Sequence, residues 1–490
     1  MTESPVYLAV DLGAGSVRVM AGERSASSFI SLSEVHRFKS PPFDDAGHLR
    51  WNFSELMAHI EKGLKLAAEQ FGSRIRSISV DTWGVDFGLI DDQGKLLGNP
   101  ICYRDPRHET GMEKVFSVVP ESDLFARTGI YPWPFNTLFQ LAAEIDKADS
   151  RLKSARKLLF MPDLICHHLS GVARNERTIA STGALLDASS GEWAIDVLSK
   201  IGLESGLFCE LVDPGAVLGP IRKEVAERTG LSPAVEVVAC GAHDTASAVA
   251  AVPFGSSDEA FLSSGTWSIL GAECQQPLLN ADVVNAGFSN EGGVNGTIRL
   301  LANVSGLWVF EECRRVWQAE GKDVDYARLL ERATAAAPFA GSIDAMSSKW
   351  IAPGDMVNRL RKAIVEAGGE DTTDEGSLTR TIFEGLALAY AHKMNAMEKL
   401  LGKKFSAIRI VGGGSQNALL NQMTADACGC VVYAGPVEAT SLGNILVQMV
   451  AEGDLTSIQE GRLGIAKDPT LRTYQPNPEL AADWQRALTR

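Results

Sequence analysis

One local pattern occurs twice in this chain, near its start and just past its middle. Residues 6–10 form an apolar run, a turn of small residues follows, and residues 17–20 resume a strand-like pattern. Residues 260–262, the turn 263–266 and residues 267–270 repeat that order. A supersecondary unit that recurs at this distance predicts two related domains, each containing a β-hairpin with a tight turn.

The length of the chain agrees with two domains. A chain of 490 residues is longer than a single hydrophobic core usually serves. Helical and strand-like segments alternate over residues 378–451, which is typical of an α/β fold. The predicted fold class is therefore α/β, with an N-terminal domain over 1–243, a C-terminal domain over 244–490 and a cleft available between them.

Charge and hydropathy limit the possible partners. The formal net charge of −15 opposes a nucleic-acid partner, because such binding depends on Lys and Arg neutralising phosphates. A small phosphorylated ligand is still compatible, since backbone N–H groups and a metal ion can hold a few phosphates. No apolar run is long enough to cross a bilayer and no signal peptide is evident. We expect a cytoplasmic protein without a membrane partner, either a monomer or a homodimer.

Three glycine-rich or hydroxyl-rich turns are candidate phosphate sites. In the turn 11–16, backbone N–H groups can converge on an anion, and Asp11 can hold Mg²⁺ through water. The turn 263–266 can donate hydroxyl and backbone hydrogen bonds to the same polyphosphate. Residues 412–414 are all Gly, which lets a flat ligand approach the backbone. The alternative interpretation is two ordinary polar hairpins and a flexible strand-to-helix corner.

Asp244 is the candidate catalytic residue. It follows an apolar strand and precedes a run of small residues, so its alternative role is that of a helix N-cap. Phosphoryl transfer requires positioning, charge neutralisation and a base that accepts the proton of the attacking hydroxyl, and an Asp suffices. The adjacent His243 is either a structural hydrogen-bonding group or a donor to a sugar hydroxyl.

Residues 81–86 read DTWGVD and combine polar groups, a large aromatic residue and Gly within a predicted strand. Such a local conflict is typical of a ligand site. Trp83 offers an apolar face to a sugar, Asp86 accepts hydroxyl hydrogen bonds, and Gly84 lets the ligand touch the backbone. The alternative is a core Trp83 with Asp86 capping a turn.

A series of ordered motifs resembles the FGGY carbohydrate kinases. The motifs are VDLGAGSVRVM, DTWGVDFGLIDDQGKLLGNP, YRDPR, FNTLFQL, HDTASAV, LSSGTWS, NEGG, VGGGSQNALLNQMTADACG and GPVEATSLGN. The resemblance extends from about Val6 to Asn444. The TWGVDF, YRD and GPVEA stretches are similar to the branch of the family that phosphorylates L-rhamnulose.

The resemblance implies two ribonuclease-H-like domains of the actin and hexokinase type, which bind ATP, Mg²⁺ and a sugar. It implies phosphorylation of the terminal hydroxyl of L-rhamnulose, with Asp244 as proton acceptor. The implied sugar contacts are Gly84, His243, Thr245 and Asn303, beside Trp83 and Asp86 from the residue chemistry. The implied nucleotide contacts are Ala14, Gly15, Ser16, Val17, Arg18, Thr266, Glu311 and Gly413.

The first turn and position 311 depart from the family pattern. The first turn has Gly15 and Val17 where related kinases tend to have Ser and Gly, which removes a hydroxyl and adds a β-branched residue. Glu311 stands where an amide side chain is expected, so a donor is replaced by a negative charge. Both departures concern the nucleotide rather than the sugar.

Several functions remain open from the sequence. Within the kinase class, another ketose such as L-fuculose or L-ribulose is the alternative substrate, because specificity depends on hydrogen-bond partners that leave motifs unchanged. Outside the class, the alternatives are a non-catalytic ATP- and sugar-binding sensor and a nucleotide hydrolase. The Asp244 carboxylate beside His243 and Thr245 favours catalysis.

Overall fold

The computed structural model describes residues 4–13, 15–26, 29–146, 150–350 and 354–489. The strands in these ranges are β1 (Val6–Leu12), β2 (Val17–Ser25), β3 (Phe29–Phe38), β4 (Phe43–Asp45), β5 (His48–Arg50), β6 (Ile75–Thr82), β7 (Phe87–Ile90), β8 (Lys157–Phe160), β9 (Asn175–Glu176), β10 (Leu211–Val212), β11 (Val217–Pro220), β12 (Glu236–Val238), β13 (Glu259–Ser264), β14 (Ser268–Cys274), β15 (Ser289–Gly292), β16 (Ile298–Val304), β17 (Ala407–Val411), β18 (Val431–Ala434) and β19 (Arg472–Tyr474).

The α-helices are α1 (Phe53–Phe71), α2 (His108–Val118), α3 (Glu121–Thr128), α4 (Thr137–Asp146), α5 (Ser150–Ser154), α6 (Met161–Ser170), α7 (Arg177–Ser181), α8 (Ile195–Lys200), α9 (Lys223–Thr229), α10 (Asp244–Ala250), α11 (Ala281–Asn285), α12 (Trp308–Ala319), α13 (Tyr326–Ala335), α14 (Met356–Glu366), α15 (Glu375–Leu401), α16 (Ala418–Cys428), α17 (Ala439–Ala451), α18 (Ile458–Ile465) and α19 (Ala481–Leu488). Short 3₁₀ helices occur at Gly72–Arg74, Ser205–Leu207, Val294–Gly296, Ser348–Trp350, Gly413–Gln416 and Pro478–Leu480. No helix in the described residues is both long and apolar enough to cross a membrane.

The chain forms two compact units that are discontinuous in sequence. The first consists of Met1–Pro253, Glu273–Leu300 and Ala439–Asp468, and the second of Phe254–Ala272, Leu301–Glu438 and Pro469–Arg490. Within the first unit, α10 packs against α17 at Gly443, where an added Cβ would lie 1.7 Å from the Ser247 carbonyl oxygen. By its contacts α10 therefore belongs to the first unit, although it follows the domain boundary that was expected after residue 243.

The first unit is built on a six-stranded mixed sheet in the order β11-β12-β6-β1-β2-β3. β1 pairs antiparallel with β2 and parallel with β6, which pairs parallel with β12. All seven residues of β1 are buried. A central strand covered on both faces normally carries only apolar side chains, so Asp11 near the end of β1 is a conspicuous exception.

The second unit contains β13, β17, β18, β19 and most of β14 and β16, in the sheet order β16-β14-β13-β17-β18-β19. Its central β13 pairs antiparallel with β14 and parallel with β17, and β17 pairs parallel with β18. The order and directions around β13 match those around β1. The repeated hairpin pattern thus correctly predicts two α/β domains with the same central topology.

Local signals in the sequence place several elements accurately. The predicted capping pair at the start of the first long helix is confirmed, since the Asn52 side chain accepts a hydrogen bond from the Glu55 backbone N–H at 3.2 Å. The strand expected at residues 407–411 is β17, and the helix expected at residues 378–401 is α15, which begins three residues earlier, at Glu375, after its Asp374 N-cap.

Candidate active site

Two carboxylates lie side by side near the ends of β1 and β6. Asp11 and Asp81 are partners in the parallel register of these strands, and both side chains are buried. Arg18 pairs with Asp11 across the first hairpin, and its Nη2 donates to Asp11 Oδ2 at 2.6 Å. The hairpin therefore supplies one cation to a pair of buried acids.

The first turns of α17 supply two further donors. Ser441 Oγ donates to Asp11 Oδ2 at 2.9 Å, and Asn444 Nδ2 donates to Asp81 Oδ2 at 2.6 Å. Within the described residues nothing donates to the buried Oδ1 of Asp81. Burial, and after it the charge of Asp11, raises the pKa of Asp81 well above its usual value. This oxygen is therefore a buried acceptor that can bind a ligand or a proton.

The end of β6 also positions Asp244. The Thr82 N–H donates to the Ala242 carbonyl at 2.9 Å, and Thr82 and His243 form a parallel bridge. Asp244 then begins α10, with its side chain 32% exposed. Burial is the largest cause of its raised pKa, to which the charge of Asp11 adds and which His243 opposes. A carboxylate with raised pKa is a stronger base than an ordinary Asp.

His243 connects Asp244 to a second acid. Its Nδ1 lies 3.1 Å from Glu291 Oε2, and its Nε2 lies 3.4 Å from Asp244 Oδ1. Although burial acts to raise the pKa of Glu291, the charges and hydrogen bonds of His243 and Arg299 outweigh it and hold that pKa below its usual value.

Arg299 is the cation that balances this buried cluster. It is fully buried on β16, and its Nη2 donates to Glu291 Oε2 at 3.1 Å while its Nε donates to the Gly292 carbonyl at 2.9 Å. The same Nη2 lies 3.2 Å from His243 Nδ1. A buried guanidinium is tolerated only where such partners compensate it. Arg299 and Glu291 thus fix the imidazole that faces Asp244.

Trp83 and Asp86 are placed in the interior. Trp83 is 8% exposed and its ring centroid lies 4.2 Å from that of Trp51. Asp86 Oδ2 accepts from the indole N–H groups of Trp51 and Trp83, at 2.7 and 2.9 Å, and from the Tyr103 backbone N–H at 3.1 Å. Burial raises the pKa of Asp86 to about 6. This geometry favours a scaffold role for Asp86 over the direct sugar contact that its sequence motif suggested.

Gly84 lies in a strained and firmly held segment. The next residue, Val85, has φ +70°, which is costly for a β-branched side chain. Thr182 Oγ accepts the Val85 N–H at 3.1 Å, and Thr137 Oγ donates to the Val85 carbonyl at 2.7 Å. A Cβ at Gly84 would lie 3.2 Å from Thr182 Oγ. Strain that is held by buried partners in this way is characteristic of functional segments.

In the second unit the predicted nucleotide turns meet. The Leu307 and Trp308 N–H groups donate to the carbonyls of Gly265 and Thr266, both at 3.1 Å. Gly414 approaches the same turn so closely that a Cβ there would lie 2.0 Å from Ser264 Oγ. The neighbouring Gly413 faces open space, with no atom within 4 Å of a hypothetical Cβ. A loop with exposed backbone is thereby held against the hairpin.

The remaining predicted nucleotide residues divide between the units. Glu311 lies in the first turn of α12 in the second unit, with its side chain 49% exposed and paired with Arg314 at 2.8 Å. Gly15 is exposed and Ser16 is partly exposed in the first unit. Val17 is buried as the first residue of β2, so its branched side chain fits the strand without strain.

The predicted sugar contacts Asn303 and Thr245 belong to different units. Asn303 lies on β16 within the second unit and is partly exposed. Thr245 lies in the first turn of α10, where its Oγ donates to Asp244 Oδ1 at 3.1 Å. Ala14 lies outside the described residues. The first unit accordingly brings together Asp11, Arg18, His243, Asp244 and Thr245, and the second brings together Thr266 and Gly413.

Two family models account for most of the chain. The model of the N-terminal domain of the FGGY family of carbohydrate kinases matches residues 6–251, and that of the C-terminal domain matches residues 260–452. The chain belongs to the FGGY family of carbohydrate kinases. The resemblance stated from the motifs is thus confirmed, and the protein is an enzyme of the carbohydrate kinase class.

Relatives and solved structures of FGGY kinases agree with this assignment. A rhamnulokinase from Bacteroides thetaiotaomicron is 40% identical over 477 residues, 97% of each chain. A rhamnulokinase from Enterococcus faecalis is 37% identical over 97% of this chain and 95% of its own. The crystal structure of a ligand-bound xylulose kinase from Lactobacillus acidophilus superposes with a TM-score of 0.83 at 17% identity, covering 99% of this chain and 96% of that one. The predicted two-domain actin- and hexokinase-type α/β fold is confirmed.

Sequence reasoning did not single out four residues that the structure adds to this cluster: Asp81, Glu291, Arg299 and Asn444. Three of them stand inside motifs that were already conspicuous, namely DTWGVD, NEGG and GPVEATSLGN. The usable signal for Arg299 was a charged residue inside the apolar strand IRLLANV, since a charge in a buried strand requires a partner.

Proposed function

We propose that this kinase transfers the γ-phosphoryl group of ATP to the terminal hydroxyl of L-rhamnulose, giving L-rhamnulose 1-phosphate, as a step in L-rhamnose breakdown. The observation that carries the proposal is Asp244, a partly exposed carboxylate with raised pKa at the start of α10, held between His243 and Thr245. The names of the two relatives, each matching 97% of this chain, support rhamnulose as the acceptor.

In the proposed reaction Asp244 accepts the proton of the attacking hydroxyl. The hydroxyl oxygen forms a bond to the γ-phosphorus, the bond between that phosphorus and the β,γ-bridging oxygen breaks, and ADP leaves with the electron pair. Glu291 and Arg299 hold the Nδ1 side of the His243 ring, so its Nε2 side faces Asp244 and the proposed sugar. The chain contributes a base and fixed hydrogen-bond partners, which is most of what phosphoryl transfer requires.

The proposed ligand contacts follow the placement of the side chains. Gly84, His243, Thr245 and Asn303 bind the sugar, while Trp83 and Asp86 support the segment that carries Gly84. The residues proposed to bind ATP are Ala14, Gly15, Ser16, Val17, Arg18, Thr266, Glu311 and Gly413. Backbone N–H groups at the tight turns are suited to phosphate oxygens.

Asp11 and Asp81 fit a role in holding Mg²⁺. Hard cations prefer carboxylate oxygens, and Mg²⁺ usually combines one or two carboxylates with water and substrate phosphates. Asp81 Oδ1 is buried without a donor among the described residues, and Asp11 lies beside it. The described residues contain no group of three or more His, Cys, Asp or Glu arranged to hold a metal. When bound, Mg²⁺ would neutralise phosphate charge, and Asp11 would hold it through water.

Product analysis tests the proposal. Purified protein is incubated with ATP, Mg²⁺ and L-rhamnulose, and the product is examined by ³¹P and ¹³C NMR. We expect one phosphomonoester whose phosphorus couples to C1 of the ketose. A phosphate on another carbon, or inorganic phosphate released without any sugar ester, would contradict the proposed reaction.

Glu311→Gln is expected to lower the KM for ATP about two- to fivefold with little change in kcat. The substitution removes a negative charge from a site proposed to face the nucleotide, and partly exposed charges contribute on the order of 0.2–1 kcal/mol. Initial rates at varied ATP and saturating sugar measure this effect, with the exposed Glu331→Gln on α13 as control. An unchanged or increased KM in Glu311→Gln would remove Glu311 from the nucleotide site.

A further inference from the structure

We infer that Glu176, acting with Thr178, is a positioning residue that holds the backbone of the catalytic loop, residues 241–244. The inference rests on the proposed function, because it assumes that Asp244 is the base. Neither residue belongs to a motif that the sequence analysis singled out. They lie at the end of β9 and the start of α7, within the first unit.

Glu176 is a buried N-cap. Its Oε1 accepts the Thr178 N–H at 2.8 Å and its Oε2 accepts the Ile179 N–H at 3.0 Å, so the carboxylate satisfies the first free amides of α7. The residue is 1% exposed. A cap of one short helix does not require a buried charge, because Ser, Thr or Asn serve there equally well.

The same carboxylate also reaches the catalytic loop. Its Oε2 accepts the Ala242 N–H at 3.2 Å and the Thr178 hydroxyl at 2.6 Å. Thr178 Oγ in turn accepts the His243 N–H at 3.3 Å. Two consecutive loop amides are therefore bound through one carboxylate and one hydroxyl. Because the hydroxyl proton is committed to Glu176, the Thr178 lone pairs are left to face His243.

The loop is held from two sides. The Ala242 carbonyl accepts the Thr82 N–H from β6, and the Ala242 N–H donates to Glu176. The peptide groups just before Asp244 are thus fixed at both their donor and their acceptor atoms. A displacement of about 1 Å at a reacting group is enough to cost on the order of 10²-fold in rate. Loss of the Glu176 contacts would permit such a displacement without touching the substrate.

The charge state of Glu176 should matter for this role. An ionised carboxylate only accepts, whereas protonation turns one oxygen into a donor that competes with the amides. Burial is the main cause that raises the pKa of Glu176 to about 7, against the hydrogen bonds from Thr178, Ile179 and Ala242. Four charged or titratable groups face the Glu176 carboxylate: Asp163 and Cys166 on α6, Cys240 before the loop and Arg299 on β16. Asp163 Oδ1 also accepts the Glu176 backbone N–H at 3.1 Å.

The first test compares Glu176→Gln with wild type from pH 5.5 to 8.5. The amide mimics the protonated acid, so we expect kcat at pH 8.5 to fall about tenfold or more, with a smaller change in the KM for sugar. The ratio of wild-type to variant kcat should decrease toward one as the pH falls below about 7. Comparing ratios cancels the titration of Asp244, which both proteins share.

The matched control is Glu144→Gln on α4. Glu144 is equally buried and is paired with Arg107 at 2.8 Å, and no hydrogen bond or ion pair joins either residue to the catalytic loop among the described residues. We expect this variant to lose stability in thermal unfolding but to keep the kcat and pH profile of wild type. If Glu144→Gln lost kcat as Glu176→Gln does, reduced stability would explain both losses, and the inference would be overturned.

A second pair of variants tests the inference even if Glu176→Gln folds poorly. Thr178→Ser keeps the hydroxyl and should keep kcat within about twofold, whereas Thr178→Val removes it and should lower kcat about tenfold. Equal kcat values in the two variants would overturn the inference.

If wild type shows no sugar-dependent ATP use, the proposed function has failed. If wild type is active, Asp244→Asn is inactive and Glu176→Gln matches wild type at every pH, only the positioning role has failed.

Discussion

Asp244→Asn is expected to lower kcat for sugar-dependent ATP consumption by about 10³-fold. The amide is nearly the same size as the carboxylate, but it cannot accept the proton of the attacking hydroxyl. The KM for sugar should change little, because His243 and Gly84 remain in place. Steady-state rates from ADP release at saturating ATP, with circular dichroism to verify folding, measure the effect.

The control for this variant is Asp92→Asn in the exposed turn after β7. It removes the same charge at a surface position and should retain wild-type kcat. An Asp244→Asn enzyme that keeps more than about one tenth of wild-type kcat would be incompatible with general-base catalysis by this residue. Such a result would favour the interpretation of Asp244 as only the first residue of α10.

Arg299→Met is expected to lower the free energy of unfolding by about 3–5 kcal/mol. The substitution leaves the buried Glu291 carboxylate without its guanidinium partner at 3.1 Å and removes the donor to the Gly292 carbonyl. Urea unfolding at pH 7.5, followed by circular dichroism, measures the loss. The exposed Arg486→Met, whose ion pair with Asp483 lies on the surface, should cost less than about 1 kcal/mol.

The pH dependence of the Arg299→Met loss provides an internal check. In wild type the pKa of Glu291 is below its ordinary value of 4.5, so the stability it contributes is present above that pH and is lost as the pH falls through the folded-state pKa. Without Arg299 this contribution disappears, and the two proteins should become more alike in acid. The double variant Glu291→Gln/Arg299→Met should recover part of the loss at pH 7.5, and no recovery would contradict the pairing.

Local signals in the sequence were sufficient for the α/β class and for individual elements, whereas the ribonuclease-H-like fold was implied by the family resemblance. The turn at residues 11–16 lies between two strand-like runs, and the Asn52 cap lies three residues before Glu55, so neighbours along the chain decide both structures. The repeat of the hairpin further along the chain then implied the second domain. None of these predictions required knowledge of a distant contact.

The supporting contacts of the site are not local, and this is why they were missed. Glu291 reaches His243, and Glu176 reaches Ala242, from other parts of the chain, and no periodicity indicates either pairing. The reverse holds for Asp86, where a local motif indicated a role that the distant contacts do not favour. Its motif suggested a sugar ligand, but the carboxylate satisfies two indole N–H groups and a backbone amide in the interior, because a buried charge requires several donors.

The central claim is that this FGGY kinase acts on L-rhamnulose, and one kinetic comparison tests it directly. The measurement is kcat/KM in an ADP-coupled assay with L-rhamnulose, L-fuculose, L-ribulose, D-xylulose and glycerol, each at saturating ATP and Mg²⁺. We predict that L-rhamnulose gives the highest value, by about tenfold or more over each of the others. A higher value for another ketose would assign a different substrate to the same site, and no stimulation by any of the five would contradict the account.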